Sequence, residues 1–277
     1  MIGAIIGDMA GMPFERSPAK TKELAIFAHG ACFTDDTVMS LAIADALLAG
    51  EPYPFVDKLK DWYRRHPHVG YGKTFAKWAA HPNDRLPYNS WGNGSAMRVA
   101  PVAWAFDQLD DVLRVAVSSA AVTHDHPEGI AGAQAVAGCI FLARTGATKE
   151  RIKEFAVEYY GARMERTLDR IRPGYGFDVS CIGSIPEAII AFLESLDFED
   201  ALRNAISLGG DSDTQACIAG AIAEGFYGGV PARLRNEAIR RLDDELLSVL
   251  KRMWRAHPRS DPFRATDRQD GRSPDAD

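Results

Sequence analysis

Helical spacing of apolar residues, without any convincing alternating strand pattern, is the sequence feature that most restricts the fold of this chain. Between residues 34 and 49 the apolar side chains recur every three or four positions, and Gly50 follows as a stop signal. The same spacing predicts further helices over residues 111–121, 129–144, 149–160, 185–193, 198–207, 214–226 and 243–254. The sequence therefore predicts an all-α fold.

Two of the predicted helices are rich in small residues, over 129–138 and 216–223. Small side chains let helix backbones approach closely, so we expect both helices at the centre of the fold. The chain has 277 residues, of which 46% are hydrophobic, and no stretch between residues 1 and 255 resembles a linker. We predict one helical domain over 1–262 and a disordered polar tail over 263–277, because the chain lacks apolar anchors from Arg264 onward.

Charge and cysteine usage exclude several classes of protein. The formal net charge is −6 and no Lys/Arg cluster is present, so we expect no nucleic-acid partner except as a modified substrate. The four cysteines are scattered without a Cys-x-x-Cys pair, which favours reduced thiols in a cytosolic protein: Cys32, Cys139, Cys181 and Cys217. No apolar run approaches the ~20 residues needed to span a bilayer, and the N-terminus does not resemble a signal peptide. We expect a cytoplasmic protein that does not contact a membrane.

Acid-rich segments stand at the starts of two predicted helices, Thr34-Asp-Asp-Thr37 and Gly209-Gly-Asp-Ser-Asp-Thr214. Each alone has an ordinary explanation, because Thr is a good N-cap and Asp in the first turn complements the helix dipole. If the two starts meet, however, they supply four carboxylates and two threonine hydroxyls. These hard oxygen ligands suit Mg²⁺, Mn²⁺ or Ca²⁺, and four carboxylates would balance two divalent ions about 3.5–4 Å apart.

Two loops rich in glycine, proline and aromatic residues are candidates for substrate binding. The segment 89–98 contains a Gly-Asn-Gly turn before a helix predicted from Ser95, and such a turn can present backbone N–H groups to a phosphate, although it also fits an ordinary turn. Trp91 in the same loop offers an aromatic face to a base or a ribose. The segment 172–183 carries Tyr175 and Phe177 beside turn-forming residues, which is typical of a binding loop.

Three further polar residues require an explanation. His124 precedes Asp125, as in metal phosphohydrolases built on a His-Asp pair, but no other histidine stands in a matching helical context, which favours a role in lining a ligand pocket. Asp8 lies in an apolar N-terminal helix, where an unpaired charge is costly, so we expect it to have a partner. Glu15 follows Pro13, and we expect it on a loop.

Taken in order, five motifs resemble those of the ADP-ribosylglycohydrolases, the family that includes the dinitrogenase reductase-activating glycohydrolase. The resemblance runs from Ile2 to about Gly228. The motifs are Gly3-Ala-Ile-Ile-Gly-Asp8 with Glu15, Phe33-Thr-Asp-Asp-Thr37, Gly92-Asn-Gly-Ser-Ala-Met-Arg98, Thr123-His124 with Pro127 and Gly129, and Gly209-Gly-Asp-Ser-Asp-Thr214. The resemblance implies an orthogonal helical bundle with a binuclear Mg²⁺ or Mn²⁺ centre at one end of an ADP-ribose cleft.

The resemblance also implies roles for individual residues. Glu15 or Asp36 would supply the acid and base chemistry. The turn at 92–94 would hold the diphosphate, Trp91 would lie near the adenosine half, and His124 would line the same cleft. The implied metal ligands are Thr34, Asp35, Asp36, Asp211, Asp213 and Thr214. The expected substrate-binding residues are Trp91, Gly92, Asn93, Gly94, Ser95, His124, Tyr175 and Phe177.

These roles imply a metal-dependent hydrolase that cleaves the glycosidic bond between ADP-ribose and an acceptor, which is arginine or another modified residue or molecule. Its partners would be an ADP-ribosylated protein or small molecule and the product, ADP-ribose. Two alternatives stay open. One is a catalytically silent relative that binds ADP-ribose or serves a structural role. The other is a metal phosphohydrolase that cleaves the diphosphate.

Overall fold

A computed structural model describes residues 1–263, which form fifteen α-helices and two short 3-10 helices. Within these residues the only extended pairing is an isolated antiparallel bridge between Gly92 and Ser180. The α-helices are α1 (Ile2–Glu15), α2 (Asp35–Ala49), α3 (Phe55–Arg65), α4 (Lys73–Ala80), α5 (Gly94–Met97), α6 (Ala100–Ala105), α7 (Leu109–Ala121), α8 (Pro127–Arg144), α9 (Lys149–Tyr160), α10 (Leu168–Ile171), α11 (Cys181–Leu193), α12 (Phe198–Ile206), α13 (Ser212–Phe226), α14 (Ala232–Arg241) and α15 (Asp244–Ala256). The all-α prediction is confirmed.

Each helix predicted from apolar spacing has a counterpart, although some boundaries differ. Helix α11 begins four residues before the predicted start at Ile185, because the Ser180 side chain caps it by accepting a hydrogen bond from the Gly183 N–H. Helices α3, α4 and α14 were not predicted. In each of them only three or four residues are buried, so the apolar stripe is short.

Helices α8 and α13 occupy the centre of the fold, as their small residues predict. Most residues of both helices are buried, and in α13 every residue from Ser212 to Glu224 is buried. Their neighbours can therefore pack against them on several sides at short distance. The loops that adjoin the ends of these two central helices can therefore lie close together around one cleft.

Glycines spaced four residues apart join α1 to α13. A Cβ at Gly3, Gly7 or Gly11 would overlap the carbonyl oxygens of Gly220, Ala216 and Ser212, respectively. The order of these contacts shows that the two helices run antiparallel with their backbones in contact. The C-terminal end of α1 consequently lies beside the N-terminal turn of α13.

The position of Glu15 differs from the expectation. Glu15 is the last residue of α1 and not part of a loop, because the helix continues through Pro13. A proline inside a helix removes one backbone hydrogen bond and crowds the preceding turn, which is why its presence suggested an earlier end. Here the close backbone packing against α13 reaches Gly11, only two residues before Pro13, and supports the last turn.

The predicted boundary between the domain and its polar tail remains a prediction. Apart from Phe263, the tail over 263–277 lies outside the described residues. None of the helices within residues 1–263 has the length and apolar content needed to cross a lipid bilayer.

Candidate functional site

The two acid-rich helix starts meet at one cleft, as the sequence predicts. The Thr214 hydroxyl at the start of α13 lies 3.4 Å from Oδ2 of Asp36 in the first turn of α2. The cleft has a volume of about 550 Å³. All six expected metal ligands line it: Thr34, Asp35, Asp36, Asp211, Asp213 and Thr214.

Asp8 holds the start of α2 in place. Its buried carboxylate accepts hydrogen bonds from the N–H and hydroxyl of Thr34, at 2.9 and 2.7 Å, and from the N–H of Thr37 at 3.1 Å. The Thr37 hydroxyl also donates to it. The expectation that Asp8 has a partner is confirmed. Thr34 in turn caps α2 by accepting from the Asp36 N–H, so Asp8 positions two of the expected ligands through the turn that carries them.

The segment 172–183, which we call the aromatic loop, packs against the turn before α13. Gly209 has a φ of +66°, and a Cβ at Gly210 would overlap the ring of Tyr175. The Tyr175 hydroxyl donates to the Gly183 carbonyl at 2.7 Å and accepts from the Gln215 side chain at 2.9 Å. Tyr175 therefore packs behind this turn and does not line the cleft.

A lysine ammonium ties a third segment to the same turn. Lys20 lies in the connection between α1 and α2. Its Nζ donates to the carbonyl oxygens of Arg172 at 2.9 Å and Tyr175 at 2.6 Å, and also to that of Leu208. We call these three oxygens and the ammonium the Lys20 cage. The cage joins the segment after Glu15, the aromatic loop and the residue that precedes Gly209.

Mutual repulsion dominates the electrostatics of the acid cluster. Burial and then the charge of Asp213 raise the pKa of Asp8 to about 7, although the hydrogen bonds from Thr34 and Thr37 oppose this shift. Burial followed by Asp213 also raises the pKa of Asp36 and of Asp211 well above the ordinary range. Burial and the same neighbour raise the pKa of Asp35. The cluster therefore favours either bound protons or a bound cation.

The donor set fits a hard divalent cation. The buried Oδ1 of Asp36 has no hydrogen-bond partner, and an acceptor of this kind can receive a cation. The neighbouring charges that act most strongly on Asp36 are all carboxylates. Within residues 1–263, no three His, Cys, Asp or Glu side chains are arranged closely enough to hold one ion. Binding one ion through several of these carboxylates would therefore require them to lie closer together than they do here, and the metal site remains a prediction.

Glu15 lines the same cleft from the end of α1. It is half-buried, and burial followed by the charge of Asp213 raises the pKa of its carboxyl group. A carboxyl group with a raised pKa at a cleft wall is a candidate for proton transfer.

The two predicted binding loops pair with each other over one wall of the cleft. The Asn93 N–H donates to the Val179 carbonyl at 2.8 Å, and the Cys181 N–H donates to the Trp91 carbonyl at 3.0 Å. The Asn93 side chain reaches the acid cluster, where its amide donates to Oδ2 of Asp211 at 2.7 Å. This amide connects the loop directly to an expected metal ligand.

The helix expected from Ser95 is present but short. It is the single turn α5, from Gly94 to Met97, and α6 begins only at Ala100. A single turn carries little dipole, so the loop can offer an anion mainly the Gly94 N–H, because the first N–H groups of a helical turn have no partner within it. The N–H groups of Gly92 and Asn93 already donate to the Ser90 hydroxyl and the Val179 carbonyl. Ser95 itself is buried, and its hydroxyl donates to the Gly129 carbonyl at 2.6 Å, so it does not line the cleft.

An apolar rim surrounds the outer part of the cleft. Trp91 and Phe177 both line it and are 51% and 59% exposed. Val179 lies beside them on the loop that pairs with Trp91 and is also exposed. Large apolar side chains left open at a cleft mouth are typical of surfaces that bind a ligand.

The His124 ring lies next to the glycine turn at 92–94. It is 5% exposed, and a Cβ at Gly94 would lie 3.1 Å from its Nε2 atom. Burial, and then the nearby charge of Arg98, lowers the pKa of His124 well below the ordinary value. The ring is therefore neutral at physiological pH, and it lines the cleft as expected.

The structure adds lining residues that sequence reasoning missed. The segment between α3 and α4 forms another part of the wall, where Gly70 approaches Oδ1 of Asp35. The paired glycines Gly70 and Gly72 just before a helix were the available signal, but no carboxylate or aromatic pattern marked them. The other missed lining residues are Met39, Lys73, Thr74, Phe75, Tyr88, Asn89, Ser90, Met97, Arg98 and Val179.

Comparisons with known proteins agree on one family. The sequence pattern of the ADP-ribosylglycohydrolase family matches residues 1–262. Among curated relatives, human ADP-ribosylhydrolase ARH3 is 29% identical over 257 residues, covering 71% of this chain and 71% of that protein. The ADP-ribosylarginine hydrolase Tri1 of Pseudomonas putida is 28% identical over 262 residues, covering 82% of this chain and 69% of that protein.

A solved structure supports the same relationship. An ADP-ribosylglycohydrolase-related protein complex aligns with a TM-score of 0.70 and 26% sequence identity, covering 92% of this chain and 95% of that chain. Since the family pattern extends over nearly all of the described residues, the chain belongs to the ADP-ribosylglycohydrolase family.

Proposed function

We propose that this chain is a hydrolase that releases ADP-ribose by cleaving the glycosidic bond to an acceptor. The observation that carries the proposal is that acidic, glycine-rich and aromatic walls enclose one cleft of about 550 Å³. ADP-ribose presents a ribose, a diphosphate and an adenosine in series, and each wall suits one of them. The names of the relatives ARH3 and Tri1 support this class of reaction.

The acidic wall would bind two Mg²⁺ or Mn²⁺ ions through Thr34, Asp35, Asp36, Asp211, Asp213 and Thr214. Bound there, the ions would orient the ribose hydroxyls and would lower the pKa of an attacking water. Asp8 and Asn93 serve this wall indirectly, because Asp8 fixes the Thr34 turn and the Asn93 amide holds Asp211. Both are positioning residues.

Glu15 is the carboxylate best placed for proton transfer. Asp36 is buried and faces Thr214, whereas Glu15 is half-buried at the cleft wall. Glycoside cleavage needs an acid for the leaving group or a base for the attacking water. The Glu15 carboxylate would accept a proton from water, and its raised pKa suits that task.

The remaining walls would bind the rest of the substrate. The Gly94 N–H and the neutral His124 ring would receive the diphosphate, because the N–H groups of Gly92 and Asn93 already donate to Ser90 and Val179. Trp91 and Phe177 would stack on the adenosine. The segment 172–177 contributes Phe177 directly, whereas Tyr175 supports the turn before α13 from behind. The first acceptor to test is arginine.

Product analysis on ADP-ribosylated acceptors tests the proposal. ADP-ribosyl-arginine and ADP-ribosyl-serine peptides are incubated with Mg²⁺, Mn²⁺ or EDTA, and products are separated chromatographically. Free ADP-ribose in the metal-containing samples is expected. AMP instead would identify a phosphohydrolase, and binding of ADP-ribose without turnover of any acceptor would identify a silent relative.

A substitution at Glu15 tests its assigned role. Glu15→Gln should lower kcat while ADP-ribose affinity stays close to wild type, because the amide cannot accept the proton. Glu23→Gln is the matched control, since Glu23 is exposed in the segment after α1 and does not line the cleft. An unchanged kcat for Glu15→Gln would remove Glu15 from the reaction.

A further inference from the structure

A buried chain of polar groups runs from Arg98 through Thr123 to His124. Nη2 of Arg98 donates to the Thr123 hydroxyl oxygen at 2.7 Å and to the Ser119 carbonyl at 3.1 Å. The same Thr123 oxygen lies 2.7 Å from Nδ1 of His124. All three side chains are 5% exposed or less.

The direction of these hydrogen bonds follows from counting hydrogens. A guanidinium can only donate, so Arg98 occupies a lone pair of the Thr123 oxygen. The Tyr88 hydroxyl also hydrogen-bonds to the Thr123 side chain and can donate to its second lone pair. With both lone pairs occupied, the one hydrogen of the Thr123 hydroxyl is directed to Nδ1 of His124, 2.7 Å away. A neutral imidazole that accepts at Nδ1 carries its proton on Nε2.

Nε2 is the atom that faces the glycine turn. A Cβ at Gly94 would lie 3.1 Å from Nε2, and one at Gly92 would lie 3.9 Å away. The charged and titratable neighbours of this ring are Arg98 and Tyr88, whose ring centroid is 6.0 Å away. Burial raises the pKa of Tyr88 to about 12, so Arg98 is the one charged neighbour of the two, and it opposes protonation of the imidazole.

We propose that Arg98 and Thr123 are positioning residues that hold His124 as the Nε2–H tautomer, giving the 92–94 turn a fixed N–H donor for an oxygen that can only accept. The donor role rests on the proposed function, in which that oxygen belongs to the diphosphate of ADP-ribose. With the opposite tautomer, a lone pair of Nε2 would face the phosphate and repel it.

The buried charge of Arg98 destabilises the fold, which indicates that Arg98 has a functional role. Arg98 is buried, the titratable group that acts on its charge is the tyrosine Tyr88 and not a carboxylate, and its Nε has no hydrogen-bond partner. Burial lowers the pKa of Arg98 to about 10, which leaves it charged at neutral pH. An unpaired buried charge destabilises a fold, so a purely structural site would be served better by an apolar side chain.

Nitrogen NMR of the imidazole tests the tautomer without any substrate. In the protein labelled with ¹⁵N-histidine, His124 should show a protonated Nε2 and an unprotonated Nδ1 throughout pH 5.5–8. Thr123→Val should lose this single-tautomer signature, and Thr123→Ser, which keeps the hydroxyl, should restore it. A protonated Nδ1 in the wild type, or an unchanged signature in Thr123→Val, would overturn the proposal.

Binding of ADP-ribose tests the donor role separately. The dissociation constant should rise about 10-fold in Thr123→Val, as for loss of one hydrogen bond to a charged group, and should return near wild type in Thr123→Ser. Ser118→Ala removes an exposed hydroxyl from α7, the helix that ends two residues before Thr123, and should change neither measurement. Equal affinity in wild type and Thr123→Val would disprove the donor role. A wild type that shows the tautomer but binds no ADP-ribose would instead disprove the proposed function.

Discussion

One carboxyl oxygen, Oδ1 of Asp36, is the atom of the acid cluster that most needs a cation or a proton. It is buried without a hydrogen-bond partner, and the charges that act most strongly on its carboxylate are all negative. A group in this position is stabilised by a cation or by its own proton. The metal prediction therefore depends on residues that can be changed one at a time.

Asp36→Ala and Asp211→Ala should each abolish the rise in melting temperature that Mg²⁺ or Mn²⁺ produces. Each should also lower kcat by more than about 100-fold, because loss of a metal ligand has a larger effect than loss of a residue that only supports a ligand. Thermal unfolding with and without EDTA measures the first effect. Asp111→Ala, which removes an exposed acid paired with Arg114 on α7, should keep the wild-type response. An undiminished metal response in both cluster variants would rule out a shared site.

Trp91 allows a second test at the level of one side chain. Trp91→Ala should raise KM for an ADP-ribosylated substrate by about 5- to 150-fold, the range expected when one stacked base is lost, with little change in kcat. Leu196→Ala provides the matched control, because Leu196 is 86% exposed and does not line the cleft. A fall in kcat with KM unchanged would contradict a stacking role.

At the level of helices, the packing of α1 on α13 determines where the acids lie. Gly3, Gly7 and Gly11 remove side chains from the interface, so the backbones touch and Asp8 and Glu15 face the α13 turn. A thicker interface would move Asp8 away from the helix that carries Asp213. Stability and the proposed cation binding would thus be linked through one row of glycines.

Gly7→Ala should destabilise the protein by about 1–3 kcal/mol or more, as overpacking of a core does, and should weaken metal binding in the folded fraction. Its Cβ would overlap the Ala216 carbonyl. Gly174→Ala is the control, since a Cβ there meets nothing within 4 Å. Chemical denaturation and metal titration of both variants provide the comparison, and equal stability would show that α1 can shift freely.

The helices and the acid cluster could be predicted from the sequence because both correspond to patterns within short segments. Apolar spacing marked α2, α8 and α13, and two acid-rich helix starts marked the cleft. It failed where the cause is not local. Pro13 suggested an early end of α1, yet packing against α13 carries the helix to Glu15, and Tyr175 looked like a ligand contact although its ring supports Gly210. Such roles depend on which segment lies opposite, which spacing within one segment does not reveal.

For the molecule as a whole, the buried acids connect folding to pH. The raised pKa of Asp8, about 7, lies above that of an unfolded aspartate, so the folded metal-free protein binds more protons than the unfolded chain between about pH 4 and 7. This contribution to stability is present at low pH and is lost as pH rises through 7. The raised pKa values of Asp35, Asp36 and Asp211 act in the same direction.

In EDTA, the melting temperature should therefore rise as pH is lowered from 8 to 5.5. The stabilisation by Mg²⁺ should change in the opposite direction, because protons compete with the cation for the same oxygens. Differential scanning calorimetry at several pH values measures both trends. Asp36→Asn, which removes one titrating carboxyl group, should flatten the EDTA profile, and a wild-type profile that is flat or reversed would refute the linkage.

The Lys20 cage has a consequence for the ionic requirements of the protein. Three carbonyl oxygens around one ammonium form the kind of oxygen environment that a potassium ion accepts. Lys20→Ala should consequently have a lower melting temperature that KCl or NH₄Cl restores in part and tetramethylammonium chloride of equal ionic strength does not. Lys22→Ala, which breaks only the exposed pair with Asp200, should respond equally to all three salts. If the Lys20→Ala protein does not discriminate between these salts, the oxygens do not persist as a cation site. If it does, the Lys20 ammonium takes the place that a bound potassium ion would occupy. Because the ammonium is part of the chain, folding of the protein then does not depend on the surrounding potassium concentration.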